Sequence, residues 1–149
     1  MLTLLLALLL TPNLPQTEYG KPEELRGLTK VFVDSGGNMK ERERIQNEIR
    51  KSRIGVELLD SEAGAEVVLK FGGGKEQVTD DSFSAVLFPN LGVFRTVNVG
   101  EGHVYVYRDG KPKLVMSYEG VETHLWEKKP AKNFGKRFVE AYKKANGLK

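Results

Sequence analysis

The sequence predicts an α+β domain: a twisted mixed sheet of six or seven strands, with one internal and one C-terminal helix on the same face. Three observations carry this. An early β-rich run, Val31-Phe32-Val33, leads through Ser35-Gly36-Gly37 into a charged amphipathic stretch. The second half alternates apolar and polar residues around an Asp109-Gly110 turn. The chain then closes with Phe134, Phe138, Tyr142 and Ala145 at helical spacing.

The first sixteen residues stand outside that domain. Leu2 to Leu10 is a leucine run interrupted only by Thr3 and Ala7, and it gives way to Pro12 and Pro15. It is too short to span a hydrocarbon core, which takes about 20 apolar residues as helix, and it matches the apolar region of a secretory signal peptide. No Lys or Arg precedes the leucines and no A-x-A triplet follows them. The expected organisation is a cleaved leader over 1–16, a linker or lead-in over 17–27, and one α+β domain over 28–149.

Within the domain, Leu28 to Asp34 reads as a strand ending in a glycine turn. Asn38, with Glu41 three residues on, has capping-box spacing and opens a helix to about Ser52, with Met39, Ile45 and Ile49 on its buried side. Two strands follow, Ile54–Leu59 and Ala65–Phe71. Gly72-Gly73-Gly74-Lys75 and Gly100-Glu101-Gly102 read as flexible connections. The second half supplies strands at Phe83–Phe88, Val93–Val99, His103–Tyr107 and Leu114–Tyr118. The last two are joined by Arg108-Asp109-Gly110-Lys111, a hairpin because Asp and Gly both tolerate positive φ. Val104 and Val106 alternate with His103, Tyr105 and Tyr107, so one sheet face is aliphatic and the other half-exposed. Pro130 opens the last helix and Asn146-Gly147 closes it as a left-handed cap.

The stretch Leu25-Arg-Gly-Leu-Thr-Lys-Val-Phe-Val-Asp34, the charged helix, Asp60 to Leu69, the Asp-Gly hairpin and the Lys-rich closing helix resemble small bacterial envelope domains of largely uncharacterised function. Their fold is similar to the anticodon-binding-like α/β domain of curli-secretion lipoproteins, penicillin-binding-protein-activator lipoproteins and the N-terminal domain of the Tol-system propeller protein. The resemblance spans about residues 25–146. It implies adaptor or assembly roles rather than catalysis. The lipoprotein members carry an anchoring cysteine, and this chain has none.

The absence of cysteine also removes disulfides, so stability rests on core packing. An exported, disulfide-free domain fits a bacterial periplasmic or extracellular setting. The net charge is +3, but Glu127 to Lys149 holds eight cations against Glu127 and Glu140, which leaves the rest of the chain slightly acidic. An electrostatic partner is therefore sought near the C-terminus. The candidate binding residues are Trp126, Lys128, Lys129, Lys132, Lys136 and Arg137, with Tyr105, Tyr107 and Tyr118 as further aromatic surface. The expected partner is a protein or an anionic envelope component. Export argues against nucleic acid, and no integral span remains after leader cleavage.

Catalytic and cofactor motifs fail on required residues. Ser35 follows a strand but lacks the G-x-S-x-G elbow, no G-x-G-x-x-G is present, and Gly74-Lys75 is followed by Glu76 where a phosphate loop needs Ser or Thr. His103 and His124 are the only histidines, and Asp80-Asp81 lacks spaced oxygen ligands, so neither a metal nor a cofactor is expected. The leading expectation is a non-enzymatic exported domain that binds another envelope component through a sheet edge or its basic C-terminal helix. Two alternatives stand beside it. One is a small hydrolase using Asp34, Ser35 and His103 in a shared pocket, and the other is electrostatic attachment to an anionic surface.

Overall fold

The computed structural model describes residues 17–79, 94–121 and 129–149. The element order is β1 (Glu18–Tyr19), a 3-10 turn (Pro22–Leu25), β2 (Lys30–Asp34), α1 (Met39–Ser52), β3 (Glu57–Leu59), β4 (Val67–Thr79), β5 (Phe94–Arg108), β6 (Lys111–Val121) and α2 (Pro130–Asn146). The strands form one mixed sheet in the order β1-β6-β5-β4-β2-β3. β2 runs parallel to β3 and β4, β1 runs parallel to β6, and β4, β5 and β6 form an antiparallel meander. The α+β class, the mixed sheet and the C-terminal helix are as the sequence predicts.

Strand alternation assigns the two faces. Val31 and Val33 of β2, Val67 and Leu69 of β4, and Val104 and Val106 of β5 point to one side and are buried. They share a single core with Ile45 and Ile49 of α1 and with Phe134, Phe138 and Tyr142 of α2, so both helices cover that face. Phe71 and Tyr118 flank the Phe134 ring at centroid distances of 5.6 and 5.9 Å, within the range where aromatic pairs attract beyond their area burial. α1 and α2 approach closely because Gly135 lies against α1, where a Cβ would come within 3.3 Å of the Ile45 backbone.

The helix ends follow their sequence signals. The Asn38 side chain accepts from the Glu41 N–H at 3.2 Å, satisfying one of the donors left free in a first turn. α2 ends at Gly147 with φ 65°. Asp109 and Gly110 both have positive φ, 54° and 73°, as the predicted two-residue hairpin requires.

Four features differ from the sequence expectation. The two glycine segments are not connections but lie inside β4 and β5. The reason at Gly102 is packing: a Cβ there would collide with the buried Phe134 ring, so that site needs a residue without a side chain. The predicted strand at Val93–Val99, from Phe94 on, and the one at His103–Tyr107 are consequently one continuous strand, β5. Met39 is exposed rather than buried, since it stands at the first helical position, ahead of the turn where α1 meets the sheet. The lead-in carries structure of its own: β1 pairs with β6, and Leu25 is fully buried against α2. The predicted strand Phe83–Phe88 and the leader fall outside the described residues.

Candidate functional site

Two regions gather chemically competent side chains, one on the helix side and one on the open face of the sheet.

The helix-side region is basic. α1 places Arg44, Glu48 and Lys51 on one stripe, four and three residues apart. α2 begins beside that stripe with Lys129 at its N-cap and Lys132 in its first turn. Together with Asn47, these residues surround a hollow of about 250 Å³. Glu48 is its one carboxylate among the described residues, largely buried and 3.6 Å from Lys51 Nζ. A smaller hollow of about 190 Å³ adjoins it, shares Arg44 and Lys129, and includes Glu41. Burial there raises the Glu41 carboxyl above its ordinary value, with Arg44 pulling the other way. The first turn of α2 has no acidic residue and no side-chain cap, so its backbone dipole adds to the positive field.

The sequence-predicted binding residues are therefore divided. Lys129 and Lys132 share a hollow with two α1 cations, Arg44 and Lys51, that are not among the candidate residues read from sequence. Lys136 is exposed one turn further along α2. Arg137 turns toward β6, where it lines a hollow of about 550 Å³ with Met116, Ser117, Tyr118 and Lys144, and pairs with Glu140 at 3.8 Å. Both partners of that pair are exposed, so it contributes little to stability. Trp126, Lys128, His124 and Asp80-Asp81 lie outside the described residues.

The open face is organised by register. Asp34, Lys70, His103 and Ser117 pair across β2, β4, β5 and β6 and form one polar row. A second row holds Gly72, Glu101 and Glu119. On the other side of the polar row runs an apolar row, Phe32, Val68, Tyr105 and Leu114. Two cations lie over its rings: the Arg42 guanidinium is 5.2 Å from the Phe32 centroid and Lys70 Nζ is 5.6 Å from that of Tyr105. Val68, beneath them, is fully buried although neither α1 nor α2 covers this face.

The two polar rows border a trough of about 740 Å³ at the carboxyl end of β2, with Asp34, Lys70, Glu101, His103 and Glu119 around a floor that includes Gly72, Gly73, Gly100 and Gly120. Its volume is in the range of small-molecule sites. His103 is held at both ring nitrogens, with Glu101 Oε1 2.8 Å from Nε2 and Ser117 Oγ 3.1 Å from Nδ1. A carboxylate only accepts, so Nε2 carries the proton facing Glu101, and in the neutral ring the bare Nδ1 accepts from the Ser117 hydroxyl.

The three residues of the hydrolase alternative do not converge. Asp34 and His103 both line the trough. Ser35 is buried in the turn, and its hydroxyl donates to the Asn38 carbonyl at 2.6 Å. Asp34 itself accepts from the Gly36 N–H at 3.0 Å, which makes it a turn-forming residue as well as a wall of the trough.

Among the described residues no helix is long and apolar enough to cross a membrane. No protein-family model matches this chain. No curated protein matches it either. Among solved structures it is similar to a hypothetical protein from Chlamydia trachomatis (10% identity, TM-score 0.41, covering 77% of this chain and 93% of the other). It is also similar to a minor lipoprotein from Acinetobacter baumannii (7%, 0.43, 79% and 93%) and to rare lipoprotein B from Shewanella oneidensis (11%, 0.35, 78% and 90%).

Proposed function

We propose that this chain is an exported bacterial envelope domain that acts as a binding or assembly adaptor and engages an anionic envelope surface through its α1–α2 flank. The observation that carries the proposal is the hollow where Arg44, Lys51, Lys129 and Lys132, contributed by two helices, face one another around Glu48, the one carboxylate there among the described residues and already paired with Lys51. Such an arrangement is electrostatically unfavourable for the isolated domain, and an anion seated there relieves it. The leucine-rich leader supports export, and the cationic closing segment supports an acidic partner.

The test is co-sedimentation of the leader-free protein with vesicles containing anionic phospholipid, at low and high salt. Each basic side chain near such a surface contributes about 1 kcal/mol. Replacing Arg44, Lys51, Lys129 and Lys132 by Gln then weakens binding by about 4 kcal/mol, roughly a thousandfold. Binding that is insensitive to salt, or that survives the fourfold substitution, overturns the proposal. The mass of the protein recovered from envelopes tests the leader separately.

A further inference from the structure

The open face of the sheet carries a side-chain arrangement that surface binding does not use. We propose that Glu101, His103 and Ser117 form a nucleophilic acyl-transfer site that hydrolyses small carboxylic esters, with Ser117 as the attacking group. The arrangement meets the geometric requirement for an activated hydroxyl: a nucleophile within hydrogen-bond reach of a base, and that base oriented by a third group. Here the two links are 3.1 Å from Ser117 Oγ to His103 Nδ1 and 2.8 Å from His103 Nε2 to Glu101 Oε1. All three side chains stand on the β5–β6 hairpin, with His103 and Ser117 directly paired and Glu101 two residues along the same face. Rigid strands hold such a constellation better than loops do.

The chemistry balances with water as the only co-reactant. Ser117 Oγ bonds to the acyl carbon while its proton passes to His103 Nδ1, and Glu101 stabilises the imidazolium formed. The ester C–O bond then breaks, and the leaving alkoxide takes that proton from Nδ1. Water adds to the acyl-serine, gives a proton to His103 in the same way, and releases the acid as Ser117 is reprotonated. His103 and Glu101 border the 740 Å³ trough, which gives room for the acyl or alcohol portion. Lys70, the neighbour of His103 on β4, is the one ammonium on that border among the described residues, and its flexible stem lets it swing from Tyr105 toward negative charge developing on the acyl oxygen. Ser117 is exposed and open to substrate.

The experiment uses the leader-free protein with p-nitrophenyl acetate and, separately, a fluorophosphonate probe that labels activated serines. The expected result is probe incorporation at Ser117 and hydrolysis above the buffer rate, both lost in Ser117→Ala. His103→Gln lowers kcat by about 10²–10⁴-fold with KM retained, the span of general-base assistance. A second arm needs no esterase activity: in Ser117→Cys, iodoacetamide alkylation below pH 7 proceeds faster than in Ser117→Cys/His103→Gln, because a neighbouring imidazole favours the thiolate. Absence of labelling and of hydrolysis in the parent protein, hydrolysis that persists in Ser117→Ala, or equal alkylation rates in the two cysteine variants overturns the proposal.

Discussion

Gly102 and Phe134 form a packing couple whose energetics can be worked out in advance. Glycine in a strand interior costs about 0.5–1 kcal/mol relative to alanine through backbone entropy, so Gly102→Ala on an unobstructed strand would stabilise the domain by that amount. Here the new Cβ meets the fully buried Phe134 ring, which cannot yield because Phe71 and Tyr118 pack against it. Overpacking of this kind costs about 1–3 kcal/mol, so the net effect of Gly102→Ala is destabilisation of about 1 kcal/mol, within a span of about 0–2.5 kcal/mol. Phe134→Leu removes the obstructing ring edge. In that background Gly102→Ala should become neutral or stabilising, giving a coupling energy of about 1–3 kcal/mol. Urea unfolding followed by circular dichroism on the four proteins of the cycle measures it. Equal effects of Gly102→Ala in both backgrounds would refute the reasoning, as would stabilisation in the parent chain.

Acid stability should depend on Glu66, whose carboxylate accepts from the Thr29 and Lys30 N–H groups at 2.7 and 3.2 Å and is thereby held below the ordinary value of 4.5. A folded value below the unfolded one means that the stabilisation is complete above the unfolded value and is lost as pH falls through the folded one. Glu66→Gln should therefore flatten the decline in stability below about pH 4.5 in pH-dependent thermal melts, and an unchanged acid limb would sink this account. Arg53 ends α1 in the left-handed region at φ 52°, so Arg53→Gly should raise stability by about 1 kcal/mol, and a lower denaturation midpoint would contradict it.

Local physics made most of the architecture legible in the sequence. Asn38 and Gly147 mark helix ends because unsatisfied backbone groups there require a side-chain acceptor or a left-handed residue. Asp109-Gly110 marks the hairpin because both positions need positive φ. Phe134, Phe138 and Tyr142 mark the buried stripe of α2 by their helical period. These signals act over a few residues, and sequence displays them directly. The glycines misled for the same reason: on its own, Gly100-Glu101-Gly102 reads as freedom, and only the neighbouring Phe134 ring makes Gly102 a steric requirement.

The sites depended on relations that sequence does not encode locally. Counting back from the Asp109-Gly110 turn in unbroken register sets Met116 opposite His103. A bulge opposite Val104 and Tyr105 inserts one residue, and Ser117 takes that place instead. Because side chains alternate with a period of two, that single residue decides whether a hydroxyl or a thioether faces the imidazole. The basic hollow likewise needs α1 and α2 to lie side by side, an outcome fixed by Gly135 against Ile45 rather than by the charge pattern of either helix. The chain alone determined its fold class, its helix caps, its hairpin and the cationic character of its end, since each follows from short-range sterics, periodicity or composition. Tertiary packing decided which cations share a hollow and which hydroxyl meets His103, since both require register and interhelical distance to be set by contacts between residues far apart in sequence.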